Sequence, residues 1–162
     1  MPNIPGTQLR PDPSNANVWT FSLPVAPTTK IPLFNPADTG KFVASAVLNR
    51  DRMLGKRVLG ASEYLTCQGI VEGFKRVFPE SGKGAVFKRL EEGAYVEGLL
   101  AKGMSPEAAR ETVENMLMLE SPGYYAGEGL GETLELVKEA GFELTSWEEF
   151  VRGSERWGVE LK

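Results

Sequence analysis

The chain has 162 residues, enough for one domain with a sizeable core, and its hydrophobic (41%) and charged (25%) fractions are typical of globular proteins. A formal net charge of -4 argues against a surface that binds nucleic acid directly. No stretch approaches the roughly 18 apolar residues of a membrane span, and the N-terminus has no apolar run of the signal-peptide type. We therefore expect an intracellular protein, in the cytoplasm or the nucleus, without a membrane partner.

Residue counts also restrict the possible chemistry. Histidine is absent, so no mechanism in this chain can use it as a general base or a metal ligand, and we predict no metal site. Cys67 is the single cysteine, which excludes an internal disulfide. It lies one residue inside a predicted helix, and we interpret it as a small buried residue and not as a nucleophile.

Short strands are predicted mainly in the first half of the chain. Residues 1–16 contain several prolines and predict an irregular loop. Runs rich in β-branched and aromatic residues then predict strands at residues 18–23, 31–34, 57–60 and 85–90.

Helices are predicted from capping residues and apolar periodicity. Asp38 and Thr39 are expected to cap a helix over residues 40–49, whose core-facing stripe is Phe42, Val43, Ala46 and Val47. Thr66 is expected to cap a second helix, with Ile70 and Phe74 buried. Further helices are predicted to begin near residues 91, 106, 130 and 146. Ser105 is expected to cap the second of these, and a capping box of Thr145 and Glu148 precedes the last. Alternating strands and helices indicate an α/β fold, followed by a helical subdomain.

The catalytic and nucleotide-binding motifs of dehydrogenases are missing. None of the four tyrosines is followed by lysine four positions later, so the Tyr-x-x-x-Lys pair is absent. The segment from Gly127 to Gly131 fails the G-x-G-x-x-G pattern because Glu132 replaces the last glycine, and it predicts a loop between helices. Asp38-Thr39-Gly40 matches the aspartic protease triplet, but a helix follows it, which favours a helix cap.

Several segments in chain order carry a family resemblance. They are residues 17–24, 30–34, 37–43 with the Asp-x-Gly motif, 55–66, 122–125 and 144–150. Together they resemble the NmrA-like branch of the atypical short-chain dehydrogenase superfamily. The resemblance runs from about Asn17 to Trp157.

The resemblance implies an α/β fold that is the C-terminal portion of a Rossmann-like NmrA fold. It implies that residues 17–162 are the C-terminal half of the domain and that the dinucleotide-binding half lies upstream of Met1. A truncated gene model, an internal start and a real half-length product all fit this expectation. The chain alone is then expected to bind no cofactor, and NAD(P) is expected only with the missing half present.

The resemblance implies two functions, and a third possible function does not depend on the resemblance. NmrA-like proteins act as NAD(P)-sensing regulators that bind a protein partner such as a transcription factor in nitrogen metabolism, and related members are NAD(P)-dependent reductases. The chain would then be a regulatory partner-binding protein or the substrate side of an oxidoreductase; a standalone α/β binding module is the other alternative. The predicted pocket-lining residues are Asp38, Gly40, Tyr64 and Thr66, none of them catalytic. An exposed sheet edge and apolar surface predict self-association.

Overall fold

A computed structural model describes residues 9–154 and residue 157 of the chain. Within these residues the fold is a mixed α/β arrangement of seven α-helices and two small sheets, in agreement with the predicted fold class. The chain divides into two compact units. Unit 1 contains Pro32–Tyr64 and the described residues from Glu128 onward, and unit 2 contains the described residues up to Ile31 together with Leu65–Gly127.

The strands are short and the helices have at most twelve residues. The strands are β1 (Leu9–Asp12), β2 (Asn15–Leu23), β3 (Lys30–Leu33), β4 (Glu63–Thr66) and β5 (Val86–Arg89). The helices are α1 (Thr39–Leu48), α2 (Arg50–Met53), α3 (Cys67–Val77), α4 (Glu92–Leu100), α5 (Pro106–Leu117), α6 (Gly131–Glu139) and α7 (Trp147–Gly153). None of the helices in the described part of the chain is long and apolar enough to cross a bilayer.

A three-stranded sheet forms the centre of unit 2. Its order is β1-β2-β5, with β1 antiparallel and β5 parallel to β2. Trp19, Phe21 and Leu23 alternate along β2 and are buried, and the Trp19 ring lies 5.2 Å from that of Phe74 on α3. The predicted strands at residues 18–23 and 85–90 are confirmed, and so is the helix that buries Phe74.

The irregular loop predicted for residues 1–16 is wrong where the structure describes it. Leu9–Asp12 pairs with β2, because the Asp12 carboxylate accepts a hydrogen bond from the Ser14 N–H at 2.8 Å and so forms the turn that reverses the chain. Pro11 is tolerated because β1 is an edge strand. Residues 1–8 lie outside the described residues.

The strand predicted at residues 57–60 is also wrong. The Leu59 N–H donates to the Thr133 hydroxyl at 3.0 Å, so this segment satisfies its backbone with a side chain and not with a neighbouring strand. The strand lies a few residues later, as β4, which pairs with β3 in a two-stranded sheet. Just before β4, the Ser62 N–H donates to the Leu33 carbonyl at 2.7 Å.

Unit 1 is built mainly from helices. α1 contacts α6, and Trp147, Phe150 and Trp157 form an aromatic cluster with ring centroids 5.7–6.0 Å apart. The predicted capping box of α7 is displaced by one residue, because Ser146 and Glu149 form it. In unit 2, the helix starting at Pro106 has the predicted Ser105 cap.

Candidate functional site

An open apolar groove of about 580 Å³ lies along α1 and α2 in unit 1. The side chains that line it are almost all apolar. They come from the residue after β3, from α1, from α2 and from the segment that follows α2. The principal ones are Phe34, Phe42, Val43, Ala46, Val47, Met53, Leu54 and Val58, with Thr39 and Arg50 as the polar members.

The orientation of α1 explains why the groove is exposed. Phe42 and Ser45 occupy its buried face, whereas Val43 and Val47 are 59% and 67% exposed. The predicted core-facing stripe of α1 is therefore wrong for these two valines. The Ser45 hydroxyl can be buried because it donates to the Lys41 carbonyl at 2.7 Å, which satisfies the polar atom within the helix. A small, internally bonded serine thus takes the buried position, and the valines face outward.

Sequence reasoning missed the C-terminal part of the groove. Val43, Val47, Arg50 and Leu54 follow one another at spacings of four, three and four residues, which is the repeat of a single helical face. Asn49 ends α1 and α2 begins at once, so the face continues through the break. That spacing was the available signal, and it extended beyond the predicted helix end.

Arg50 is the cation of the groove, and it has no ion-pair partner among the residues that the structure describes. Its neighbours in the sequence differ in this respect. Arg52 binds Glu139 at 2.7 Å, Lys56 binds Glu132 at 2.8 Å, and Arg57 pairs with Glu128. The groove therefore combines an apolar floor with one positive charge that no described acidic side chain pairs with.

Asp38 and Gly40, two of the four predicted pocket residues, lie at the start of α1 and do not line the groove. Asp38 is buried, and its carboxylate accepts hydrogen bonds from the Thr145 N–H and from Lys41, both at 2.7 Å. Burial acts to raise the pKa of Asp38, but the hydrogen bonds from Lys41 and Thr145 outweigh it and lower the pKa below its usual value. Gly40 is exposed, and a Cβ there would meet nothing within 4 Å. The contacts of Asp38 thus connect parts of unit 1 to each other and leave its carboxylate outside the groove.

Tyr64 and Thr66 lie on β4 and do not line the groove either. The Tyr64 hydroxyl donates to the Glu128 carbonyl at 3.2 Å within unit 1. Partial burial, and then the nearby Glu128, raise the pKa of Tyr64, so it remains a neutral donor. Thr66 belongs to unit 2, where its hydroxyl caps α3 by accepting from the Gly69 N–H at 2.9 Å. Pocket-lining roles for the four residues stay a prediction.

The groove can bind, but its lining supplies no acid–base pair or nucleophile. Its hydroxyl, from Thr39, donates to the Pro36 carbonyl at 2.8 Å. Cys67 lies in unit 2, where burial raises its pKa to about 12. The part of the chain that the structure describes holds no cluster of metal-binding side chains. The arrangement therefore favours recognition of an apolar surface that carries a negative charge.

Comparison with known proteins supports the family resemblance. A family model described as "NmrA-like family" matches residues 1–151 of the 162-residue chain. A search of the curated proteins found no match. The matched region includes all the residues that line the groove.

Proposed function

Because the chain belongs to the NmrA-like family of the NAD(P)-binding superfamily, we propose that it acts as a regulatory, partner-binding member of that family and not as a reductase. Its partner would be a protein, and in transcriptional regulation that protein would be a transcription factor. The observation that carries the proposal is the exposed apolar groove along α1 and α2, at which Arg50 has no ion-pair partner among the described residues.

The exposed apolar residues make the groove a favourable place for association. Val43, Val47 and Leu54 are 59%, 67% and 68% exposed and lie on one continuous face. Full burial of a valine or leucine side chain contributes about 1.5–3 kcal/mol. Contiguous exposed apolar surface on a protein commonly marks an interaction site. A partner that covers these three residues would therefore gain much of its binding free energy there.

The shape and charge of the groove favour an amphipathic helix with an acidic residue. The ten residues of α1 extend for about 15 Å, and their apolar side chains recur at each turn. A partner helix with apolar residues at i, i+3, i+4 and i+7 presents a matching face. Arg50 has no ion-pair partner among the described residues, so a glutamate or aspartate beside that face would complete the contact.

A designed peptide tests this proposal directly. The probe is a fluorescein-labelled helical peptide with leucines at i, i+3, i+4 and i+7 and a glutamate flanking them, and binding is measured by fluorescence anisotropy. We expect saturable binding that Val47→Asp weakens about tenfold or more, because a carboxylate would have to be buried. Met118→Asp is the matched control, since Met118 is 55% exposed and lies in unit 2. Equal affinities for all three proteins, or for a scrambled peptide, would contradict groove binding.

The charge contact needs its own comparison. Arg50→Gln should weaken the binding of the peptide that carries the glutamate. It should not change the affinity for a peptide with glutamine at that position, which is the signature of a pairwise interaction. For the regulatory role, a photo-crosslinking amino acid at Val43 can capture the natural partner, which is then identified by mass spectrometry. Capture of a transcriptional regulator that is lost in Val47→Asp supports the proposal. Capture of a metabolic enzyme alone would contradict it.

A further inference from the structure

A second, smaller cleft lies in unit 2 and has the opposite character to the groove. It measures about 70 Å³, and its walls come from β1, β2 and α4. One water molecule occupies about 30 Å³ of the liquid, so the cleft accommodates two or three waters or one small polyatomic ion. Its polar lining residues are Arg10, Ser22, Tyr95 and Lys102.

The strand register places two of these side chains on one face of the sheet. Arg10 lies opposite Thr20 in the antiparallel pair of β1 and β2, and Ser22 follows Thr20 by two residues. Because side chains alternate along a strand, Arg10 and Ser22 share a face, and the buried Trp19 and Phe21 point away from it.

Helix α4 and the turn after it supply the other wall. Tyr95, Leu99 and Lys102 are spaced by four and three residues, so they lie on the same side. Ala94 and Gly98, which directly precede Tyr95 and Leu99, also line the cleft, and a Cβ at Gly98 would meet nothing within 4 Å. Small side chains at these two positions keep the cleft open.

Among the residues that the structure describes, no acidic side chain pairs with the two cations of the cleft. Arg10 and Lys102 form no ion pair or hydrogen bond with a described residue, and neither does the Tyr95 hydroxyl. Burial and then the charge of Arg10 lower the pKa of Lys102. Asp12 is the carboxylate on the same strand face as Arg10, but it accepts hydrogen bonds from Ser14 and Thr20 and does not line the cleft. The hydrogen bonds from Ser14, and to a smaller extent the charge of Lys88 on the same face, lower the pKa of Asp12.

We propose that this cleft binds the phosphoryl group of a small phosphate monoester. An arginine and a lysine meet there with two hydroxyl groups, and no acidic side chain lines the space. A phosphate dianion can accept from the guanidinium, the ammonium and both hydroxyls at once, and it neutralises both cations. A carboxylate supplies one charge and two oxygens, so it would leave part of this donor set unused. The inference is independent of the partner proposed for the groove.

The test is an NMR titration of the whole chain with inorganic phosphate, methyl phosphate and acetate at constant ionic strength. We expect saturable shifts of the backbone amides of Arg10, Ser22, Tyr95 and Lys102, with both phosphates binding more tightly than acetate. Arg10→Gln and Lys102→Gln should each weaken phosphate binding about tenfold or more, because a charged hydrogen bond is lost. Lys83→Gln removes an exposed charge outside the cleft and should bind as the wild type does.

Tyr95→Phe gives a separate readout that does not change the net charge. If the hydroxyl donates a hydrogen bond to the ligand, this variant should weaken phosphate binding although the two cations are still present. Linear, non-saturating shifts, or equal losses in Lys83→Gln and Arg10→Gln, would mean general charge attraction and would overturn the proposal. Tighter binding of acetate than of methyl phosphate would overturn the assignment to a phosphoryl group. A thermal melt of each variant verifies that it is folded.

Discussion

The Asp38 carboxylate accepts a hydrogen bond from the Thr145 backbone N–H at 2.7 Å, although the two residues are 107 positions apart in the chain. Asp38 occupies the N-cap position of α1, yet its side chain makes no capping hydrogen bond there. It serves instead to join the start of α1 to the segment that precedes α7. Lys41, one turn further on, binds the same carboxylate and also donates to the Glu143 carbonyl at 2.6 Å.

Loss of this carboxylate should destabilise unit 1. In Asp38→Ala the Thr145 N–H loses its acceptor, and we expect a loss of about 1–3 kcal/mol in the free energy of unfolding. Asp38→Asn retains an acceptor oxygen but not the charge, so its loss should be smaller. Urea denaturation followed by tryptophan fluorescence measures both variants. Equal stabilities of wild type and Asp38→Ala would show that the contact contributes nothing.

The same contact should make stability depend on pH. The folded state lowers the pKa of Asp38 below its ordinary value of 3.8, so the carboxylate stabilises the fold fully above that value. As the pH falls through the lowered pKa, the group is protonated in both states and the contribution is lost. The difference between wild type and Asp38→Asn should therefore be constant at neutral pH and shrink below about pH 4. A difference that grows on acidification would contradict this sign.

The sequence predicted elements well where the signal was local. The structure confirms the caps Ser105 and Thr66 and the strand over residues 18–23. Each of these predictions depends on a few adjacent residues. The predictions failed where a distant group decided the outcome. Leu59 bonds to Thr133, 74 positions away, and therefore does not extend a strand.

The groove and the cleft could not be predicted for the same reason, because both depend on residues that are distant in the sequence. Periodicity placed Val43 and Val47 on one face of a helix, but which face is buried depends on where α6 packs. Arg10 and Lys102 come together only because β1 forms and α4 packs beside it. Residues 1–16 were expected to be irregular, so no sequence argument could have brought these two cations together.

Cys67 should be unreactive in the folded protein. It is fully buried, and burial raises its pKa to about 12, which outweighs the effect of the α3 N-terminus. The thiolate fraction at pH 8 is then on the order of 1 in 10,000. We expect no reaction with a disulfide reagent in buffer and complete reaction in urea. Met118→Cys in a Cys67→Ser background is the exposed control, and a wild-type rate comparable to that of the control would contradict the burial.

The chain should self-associate when no partner covers the groove. Val47 and Leu54 are about two thirds exposed, and two copies can bury these faces against each other. Sedimentation velocity should show a concentration-dependent dimer that Val47→Asp abolishes and the helical peptide disperses. A monodisperse wild-type monomer at the highest concentration reached would contradict this.

The sheet edge predicted from the sequence is a separate route to self-association, and it stays a prediction. β1 carries Pro11, which has no N–H to donate, and β5 carries the exposed cations Lys88 and Arg89. Both features oppose the addition of a strand from another copy. Val86→Asp places a further charge on β5, where Val86 is 47% exposed. If the edge is the interface, this variant disrupts the dimer and Val47→Asp does not.

NAD(P) should not bind tightly to this chain alone. Pyrophosphate sites in Rossmann folds use a glycine-rich turn between a strand and a helix, whose N-terminal N–H groups face the ligand. The glycine-rich segment here follows α5 instead, and acidic side chains, Glu128 and Glu132, flank the start of α6. Calorimetry with NADP⁺ and NADPH should give no saturable heat, with a Rossmann dehydrogenase as the positive control. Saturable binding at one nucleotide per chain would contradict this prediction.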